Sequence, residues 1–475
     1  MCCTSETCRT FQLIRIADLV VSLYNMPTRR RPGGDANEPR GARGNEKHVL
    51  KHDRNKLVTE TGPGTPTGNL FRRYWIPFLL SDEVAEKDCA PVRVKLLSEQ
   101  LLAFRDSDGK LGLVEEFCAH RRVSLWFGRN EEGGIRCPYH GWKYDVTGQC
   151  TEIPSEPPES RFCAEIALTS YPCVERGGII WTYMGPPKEQ PTPPAFEWAT
   201  VPANQRFHSK RLEECNYLQA LEGGIDSSHV AFLHSGELRS DPLHHGSKGS
   251  DYHLADLAPK FEIVESPGGL NIGVRRNAGN ENYYWRVTPW IMPWYTIVPP
   301  YGDNPLHGHA WVPIDDENCF AWTFSYHPSR PLNDLELGVM RDGGSLHVEL
   351  IPGTFRPVMN RDNDYMMDRE AQKARTSFSG VKGIAMQDAS LQESMGTVQD
   401  RAGENLVMTD KAIFMARHQL HDAARDLETG KPPPGLDEAS QAVRSASFEL
   451  PREIPFNEAP GDPMKVRKGV AHISI

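Results

Sequence analysis

Two short segments, each pairing a cysteine with a histidine, constrain this chain more than any other feature. Cys118-Ala-His120 is followed, after sixteen residues, by Cys137-Pro-Tyr-His140. Each segment can bring one thiolate and one imidazole into a tight loop. Together they offer two sulfur and two nitrogen ligands. That set suits a tetrahedral zinc ion or a [2Fe–2S] cluster with cysteine on one iron and histidine on the other. The flanking residues favour the cluster. Pro138 and Gly141 set up a turn whose amide N–H groups can point at sulfur, and Trp142 and Tyr144 can shield a metal group.

The 475 residues suffice for two to four domains. Around the Cys-His segments the chain reads as short strands. Val92–Leu96 alternates, and Asp106–Gly109 signals a hairpin turn before Leu111–Val114. The proline-rich stretch after Pro186 reads as a linker. We therefore expect an all-β domain over 70–186, a second domain over 187–430 and a Pro-rich tail over 431–475 that wraps the surface. The second domain alternates strand-like runs between 259 and 327 with helical segments at 211–235, 362–377 and 405–429. The fold class is α+β, an antiparallel sheet with helices packed on it. The 405–429 helix carries a stripe of Ile413, Ala416, Leu420, Ala424 and Leu427, with Thr409 as its expected cap and Gly430 as its stop. Residues 1–60, rich in Arg, Lys, Gly and Pro after residue 27, read as a flexible extension, with a targeting peptide as the alternative. Eleven scattered cysteines suit a reducing cytoplasm. The net charge of −10 makes nucleic acid an unexpected partner, and no stretch is apolar enough for a membrane span.

A second constellation follows the linker. In Glu222-Gly-Gly-Ile-Asp226-Ser-Ser-His229-Val-Ala-Phe-Leu-His234, Asp226 and His229 would share a helix face. His229 and His234 are five apart, about 140° on an ideal helix, so they can ligate one ion only where the helix distorts or ends. Far downstream, Gln387-Asp388-Ala-Ser-Leu-Gln-Glu393 offers a carboxylate. Asp362, Asp364 and Asp368 are rivals in a charged helix start.

In this order, the motifs resemble the catalytic chain of Rieske non-haem iron oxygenases, of the subgroup that includes phthalate dioxygenase, chlorobenzoate-type oxygenases and O-demethylases. The resemblance covers roughly residues 62–430. It implies a Rieske [2Fe–2S] cluster on Cys118, His120, Cys137 and His140, and one mononuclear Fe(II) on His229, His234 and Asp388, a 2-His-1-carboxylate triad that leaves room for O2 and substrate. It also implies rings, homotrimers or stacked hexamers, in which Asp226 hydrogen-bonds His229 and a cluster histidine of the adjacent subunit, His140. The chain lacks a nucleotide-binding fingerprint, so a separate NAD(P)H-dependent reductase with flavin and iron–sulfur would supply electrons. It would dock near His120 and His140, where Arg121 and Arg122 add charge.

The implied activity is hydroxylation of an aromatic compound, with O-demethylation of a methoxylated aromatic acid as the alternative. We expect the substrate between Gly273–Arg276, Tyr283–Arg286 and Trp290–Tyr295, with Arg275 or Arg276 binding a carboxylate; on a strand only one of them can face inward. His244, His245, His307 and His309 read as loop or strand histidines without metal. Two readings from other classes compete: a Rieske electron carrier, which has no need of His229, His234 and Asp388, and a zinc-stabilised binding protein.

Overall fold

Short strands with tight turns bring the two Cys-His segments to neighbouring loops. In the computed structural model, which describes residues 50–475 apart from Pro158 and residues 244–246, strand β1 (Trp75–Leu80) leads into an antiparallel meander of β2 (Val92–Leu96), β3 (Glu99–Arg105) and β4 (Leu111–Glu115). The β3–β4 turn forms where Asp106 accepts the amide N–H groups of Asp108 and Lys110, with Gly109 at φ +90°. A four-stranded sheet follows: β5 (Arg129–Glu131), β6 (Gly134–Arg136), β7 (Lys143–Tyr144) and β8 (Cys150–Glu152). Strands β9 (Cys173–Arg176) and β10 (Ile179–Tyr183) return so that β10 lies between β9 and β1. Cys118 and Cys137 belong to a small core of their own, with Leu102, Phe104, Ile135 and Tyr144.

The rest is built on one large antiparallel sheet. Its order is β11 (Arg206–Glu213), β17, β16, β15, β14, β13, β12. The remaining strands are β12 (Lys260–Ser266), β13 (Gly269–Ala278), β14 (Asn282–Ile291), β15 (Tyr295–Val298), β16 (Leu306–Pro313) and β17 (Cys319–Tyr326). Strand alternation divides the work of β16. Leu306, Ala310 and Val312 point into the main core, whereas His307, His309 and Trp311 face a cavity on the other side. The helix Lys411–Glu428 packs on β12 and β13 through Ala412, Ala416, Leu420 and Ala424, four residues apart. Ile413 and Leu427 of the expected stripe are only partly buried. The cap position is Asp410 rather than Thr409, which lies in a preceding turn of 3-10 helix, and Gly430 ends the helix at φ +86°.

Three expectations are corrected. Residues 50–60 do not belong to a flexible extension: His52–Thr59 is a helix, with Val58 and Thr59 buried and Asn55 bonded to Arg401. Residues 1–49, and with them the targeting alternative, lie outside the described residues, as do His244 and His245. The tail does not merely wrap the surface. Ala446–Pro451 forms β18, which pairs with β14, and the neighbouring Arg444 is buried against Glu197. Residues 362–377 are not one helix: a 3-10 segment, Arg361–Met366, precedes a short helix, Arg369–Lys373, capped by Asp368.

The burial of Leu420 gives a direct test. Leu420→Ala removes a fully buried side chain and should destabilise the protein by about 2–5 kcal/mol. A lowered midpoint in denaturant unfolding of the second domain, followed by tryptophan fluorescence, checks it.

Candidate active site

The helix Tyr217–Ile225 starts at Asn216, whose side chain accepts the Leu218 N–H, and it ends at Asp226. It lies close to the sheet and to the helix Ile384–Ser394 because Gly223 and Gly224 carry no side chain. A Cβ on Gly223 would sit 2.2 Å from Gln392 Nε2, and one on Gly224 would sit 2.2 Å from the Trp311 ring. The Gly-Gly pair is thus a packing requirement. Asp226 and His229 are not on one helix face, as expected, but on either side of a break. Asp226 folds the break by accepting the Ser228 N–H at 2.8 Å. His229 begins the single turn Val230–Leu233, and His234 sits at the junction to the next helix, Ser235–Ser240. This interruption lets two histidines five residues apart aim at one point.

Three side chains meet there. His229 Nε2 and His234 Nε2 are 3.1 Å apart, and Asp388 Oδ1 lies 3.4 and 3.2 Å from them. Donor atoms at this spacing match a cation with ligand bonds of about 2.1 Å. Two imidazole nitrogens and a carboxylate oxygen turned on one point are a donor set for a mid-transition metal such as Fe(II). The other ring nitrogens are tied back. His229 Nδ1 faces Asp226 Oδ2 at 3.4 Å, and His234 Nδ1 donates to Gln387 Oε1 at 2.7 Å. These contacts fix both tautomers so that the Nε2 lone pairs face inward. Burial would push the His229 imidazole down, but Asp226 and Asp388 outweigh it and raise it, so without a cation this ring draws a proton into the site. Burial would raise Asp388, but His234 and His229 hold its carboxyl well below the usual range. The cluster of acids demands positive charge, which a divalent cation supplies. Asp362 and Asp368 are engaged elsewhere, in an ion pair with Arg356 and as a helix cap, and Asp364 is exposed in a turn.

The Cys-His loops offer the second centre. Cys118 and Cys137 are buried, whereas His120 and His140 reach the surface with ring centroids 4.5 Å apart. The amides of Tyr139 and His140 point at the Cys137 sulfur, as the turn residues imply. Tyr144 Oη lies 3.2 Å from Cys118 Sγ, and Trp142 stacks on His120 at 4.7 Å. Two buried thiols with two solvent-facing imidazoles, ringed by sulfur-directed N–H and O–H groups, fit a [2Fe–2S] cluster.

Residues 74–172 match the model of the Rieske [2Fe-2S] domain, and residues 182–453 match the LigXa C-terminal domain like family. The chain belongs to the Rieske non-haem iron oxygenases. It is 37% identical to the 3-chlorobenzoate-3,4-dioxygenase oxygenase subunit of Comamonas testosteroni, over 86% of this chain and 98% of that one. It is 36% identical to the phthalate 4,5-dioxygenase oxygenase subunit of Pseudomonas putida, over 84% and 92%. It is also 30% identical to the 5,5'-dehydrodivanillate O-demethylase oxygenase subunit of Sphingobium sp. (strain NBRC 103272 / SYK-6), over 82% and 84%. Dicamba monooxygenase shares the fold, with a TM-score of 0.52 over 76% of this chain and 99% of its own, at 17% identity. A Rieske oxygenase of this kind carries one [2Fe–2S] cluster and one mononuclear iron. Among the described residues no helix is long and apolar enough to cross a membrane.

A cavity of about 100 Å³ adjoins the iron-site residues, lined by Ile272, Arg286, Val298, Tyr301, His309 and Trp311 among others. Neither Arg275 nor Arg276 lines it, contrary to expectation. Arg275 pairs with Glu262 and lies 4.1 Å over the Tyr283 ring. Arg276 faces inward but donates to the Asp256 and Ser227 carbonyls, bracing the turn after Asp226. Trp290, Trp294 and Tyr295 belong to the main core, not to the cavity. The expected lining segment Tyr283–Arg286 does bring Arg286 to the cavity, although sequence reading gave the acid-binding role to Arg275 or Arg276. It missed the role of Gln387, whose one signal was its place beside Asp388, and the cavity positions of His307 and His309.

Asp388→Ala should lose about one of three irons per chain and keep the Rieske EPR signal. Gln387→Ala should weaken iron binding by roughly 10- to 100-fold, since the His234 ring loses its orientation. Iron and sulfide analysis with EPR after dithionite reduction checks both.

Proposed function

We propose that this oxygenase hydroxylates a carboxylated aromatic compound, with Arg286 binding the carboxylate. The single observation that carries this reading is the state of Arg286. Its guanidinium is buried at the cavity wall, 4.3 Å over the Tyr301 ring, with Nη2 donating to the Pro299 carbonyl at 2.5 Å and Nη1 without a partner. A buried guanidinium N–H without an acceptor is costly, and a carboxylate would satisfy it with a charge-assisted bond. The relatives named for chlorobenzoate and phthalate support this substrate class.

When bound, the iron supplies the centre where O2 is reduced, and the cluster supplies electrons singly. This chain's residues do the positioning. His229, His234 and Asp388 would hold the metal beside the cavity. Ile272, Val298 and Trp311 offer an apolar bed for a ring. Burial pushes His309 down to about 4, so it meets the ring as a neutral imidazole. The relative named as an O-demethylase favours a second reading, in which the same acid handle presents a methoxy group.

A separate NAD(P)H-dependent reductase supplies the electrons, and the chain works as a ring of copies in the cytoplasm. The exposed cluster histidines, the partly exposed Asp226 and the lack of a disulfide among the eight described cysteines support this arrangement.

Arg286→Gln tests the reading. For a benzoate-type acid it should cost about 1.5–3 kcal/mol of binding, or roughly 10- to 150-fold in KM, while a neutral ring analogue is unaffected. Equal loss on both substrates, with iron and EPR signal intact, would sink the assignment.

A further inference from the structure

One pair of thiols beside the cluster has no part in holding it. Cys150 Sγ and Cys163 Sγ lie 3.4 Å apart. Cys150 begins β8 and is 3% exposed; Cys163 lies on the short helix Phe162–Glu165 and is partly exposed. The two segments are already stitched together. Cys150 N–H donates to the Ile166 carbonyl at 2.9 Å, and the Gln149 side-chain amide donates to the Cys163 and Ile166 carbonyls at 3.2 and 3.0 Å. To form a disulfide the sulfurs would close from 3.4 Å to roughly 2.05 Å.

Two residues between them, Pro154 and Phe162, pack on the loop that carries the second Cys-His pair. Pro154 packs against Gly141 of the second Cys-His loop, where a Cβ would meet it at 3.1 Å. Phe162 packs edge-on against Trp142, the ring stacked on His120.

We propose that Cys150 and Cys163 form a peroxide-oxidisable dithiol whose disulfide fixes the flap over the cluster loop. The oxidant is hydrogen peroxide, the two-electron, two-proton reduction product of O2. The Cys163 thiolate attacks one peroxide oxygen, breaking the O–O bond; the other oxygen leaves as hydroxide and takes up a proton to become water. Cys163 is then a sulfenic acid. The Cys150 sulfur displaces its hydroxyl, forming the S–S bond, and the Cys150 proton leaves with it as a second water. In sum, two thiols and one H2O2 give one disulfide and two H2O. The exposures set the order: Cys163 is the thiol peroxide can reach, and Cys150 resolves it. Burial pushes the Cys150 thiol up to about 12, which leaves Cys163 as the first thiol to react.

The test uses the iron-loaded holoenzyme. It is treated with a small excess of hydrogen peroxide, its free thiols are blocked with N-ethylmaleimide after unfolding, and its peptides are mapped without reduction. The expected result is a Cys150–Cys163 cross-link, reversed by dithiothreitol, with the cluster's visible spectrum retained. Cys163→Ser should abolish the cross-link and leave Cys150 open to alkylation. In the cross-linked form, bleaching of the cluster by an iron chelator should slow by roughly threefold or more, because a closed loop opens less often. Irreversible oxidation of Cys163 without a cross-link, earlier oxidation of Cys89 or Cys173, or a cross-link that forms only after the cluster is lost would each overturn the proposal. An unchanged bleaching rate would overturn the fixing of the flap.

Discussion

Everything in the larger domain converges on three donor atoms within 3.4 Å of one another, His229 Nε2, His234 Nε2 and Asp388 Oδ1. Without a cation, two imidazole nitrogens facing each other at this distance would have to share a proton beside a half-buried carboxylate. Such a cluster needs its scaffold to hold it open and polarised. The broken helix after Asp226 brings the histidines to one point, and Asp226 and Gln387 turn their rings. The close approach of Tyr217–Ile225 to Ile384–Ser394, permitted by Gly223, delivers the carboxylate.

The helix Tyr217–Ile225 is itself tied by buried charge to the helix Lys411–Glu428 and the turn before it. Glu222, one turn before Asp226, accepts from Arg401 and Arg417, and Arg417 also pairs with Glu404. Burial would raise the Glu222 carboxyl, but the two guanidiniums keep it ionised. Removing one partner of such a network strands a charge in the core, so the network locks the helix more firmly than exposed pairs could. It also explains why His52–Thr59 is ordered: Asn55 completes the hydrogen bonding of Arg401.

The two metal centres contrast in exposure for a physical reason. The cluster cysteines sit in a small core of short strands, where sulfur is shielded and backbone amides reach it, while its histidines stay at the surface. The three side chains proposed to hold the iron lie between the large sheet and its helices, beside a cavity lined on one wall by alternate residues of β16. In the proposed reading, electrons enter from the solvent side and substrate meets the interior. Arg286 belongs to that inner wall, buried with its Nη1 lacking a hydrogen-bond partner.

The local motifs alone determined much of this. Cysteine, histidine and aspartate at fixed spacings dictate which chemistry a loop or turn can perform, and the alternation of the strands and the stripe on Lys411–Glu428 follow from side-chain period. Asp388 was legible only because Gln387–Glu393 matched a known pattern; nothing in its spacing tied it to histidines about 150 residues away. The tertiary structure decided what depends on contacts between distant segments. It put Arg286 rather than Arg275 or Arg276 at the cavity, since which face of a strand meets a cavity depends on sheet order. It turned residues 50–60 and 446–451 into packed elements, because their partners lie hundreds of residues away. It also set Cys150 beside Cys163, because the helix Phe162–Glu165 folds back onto β8.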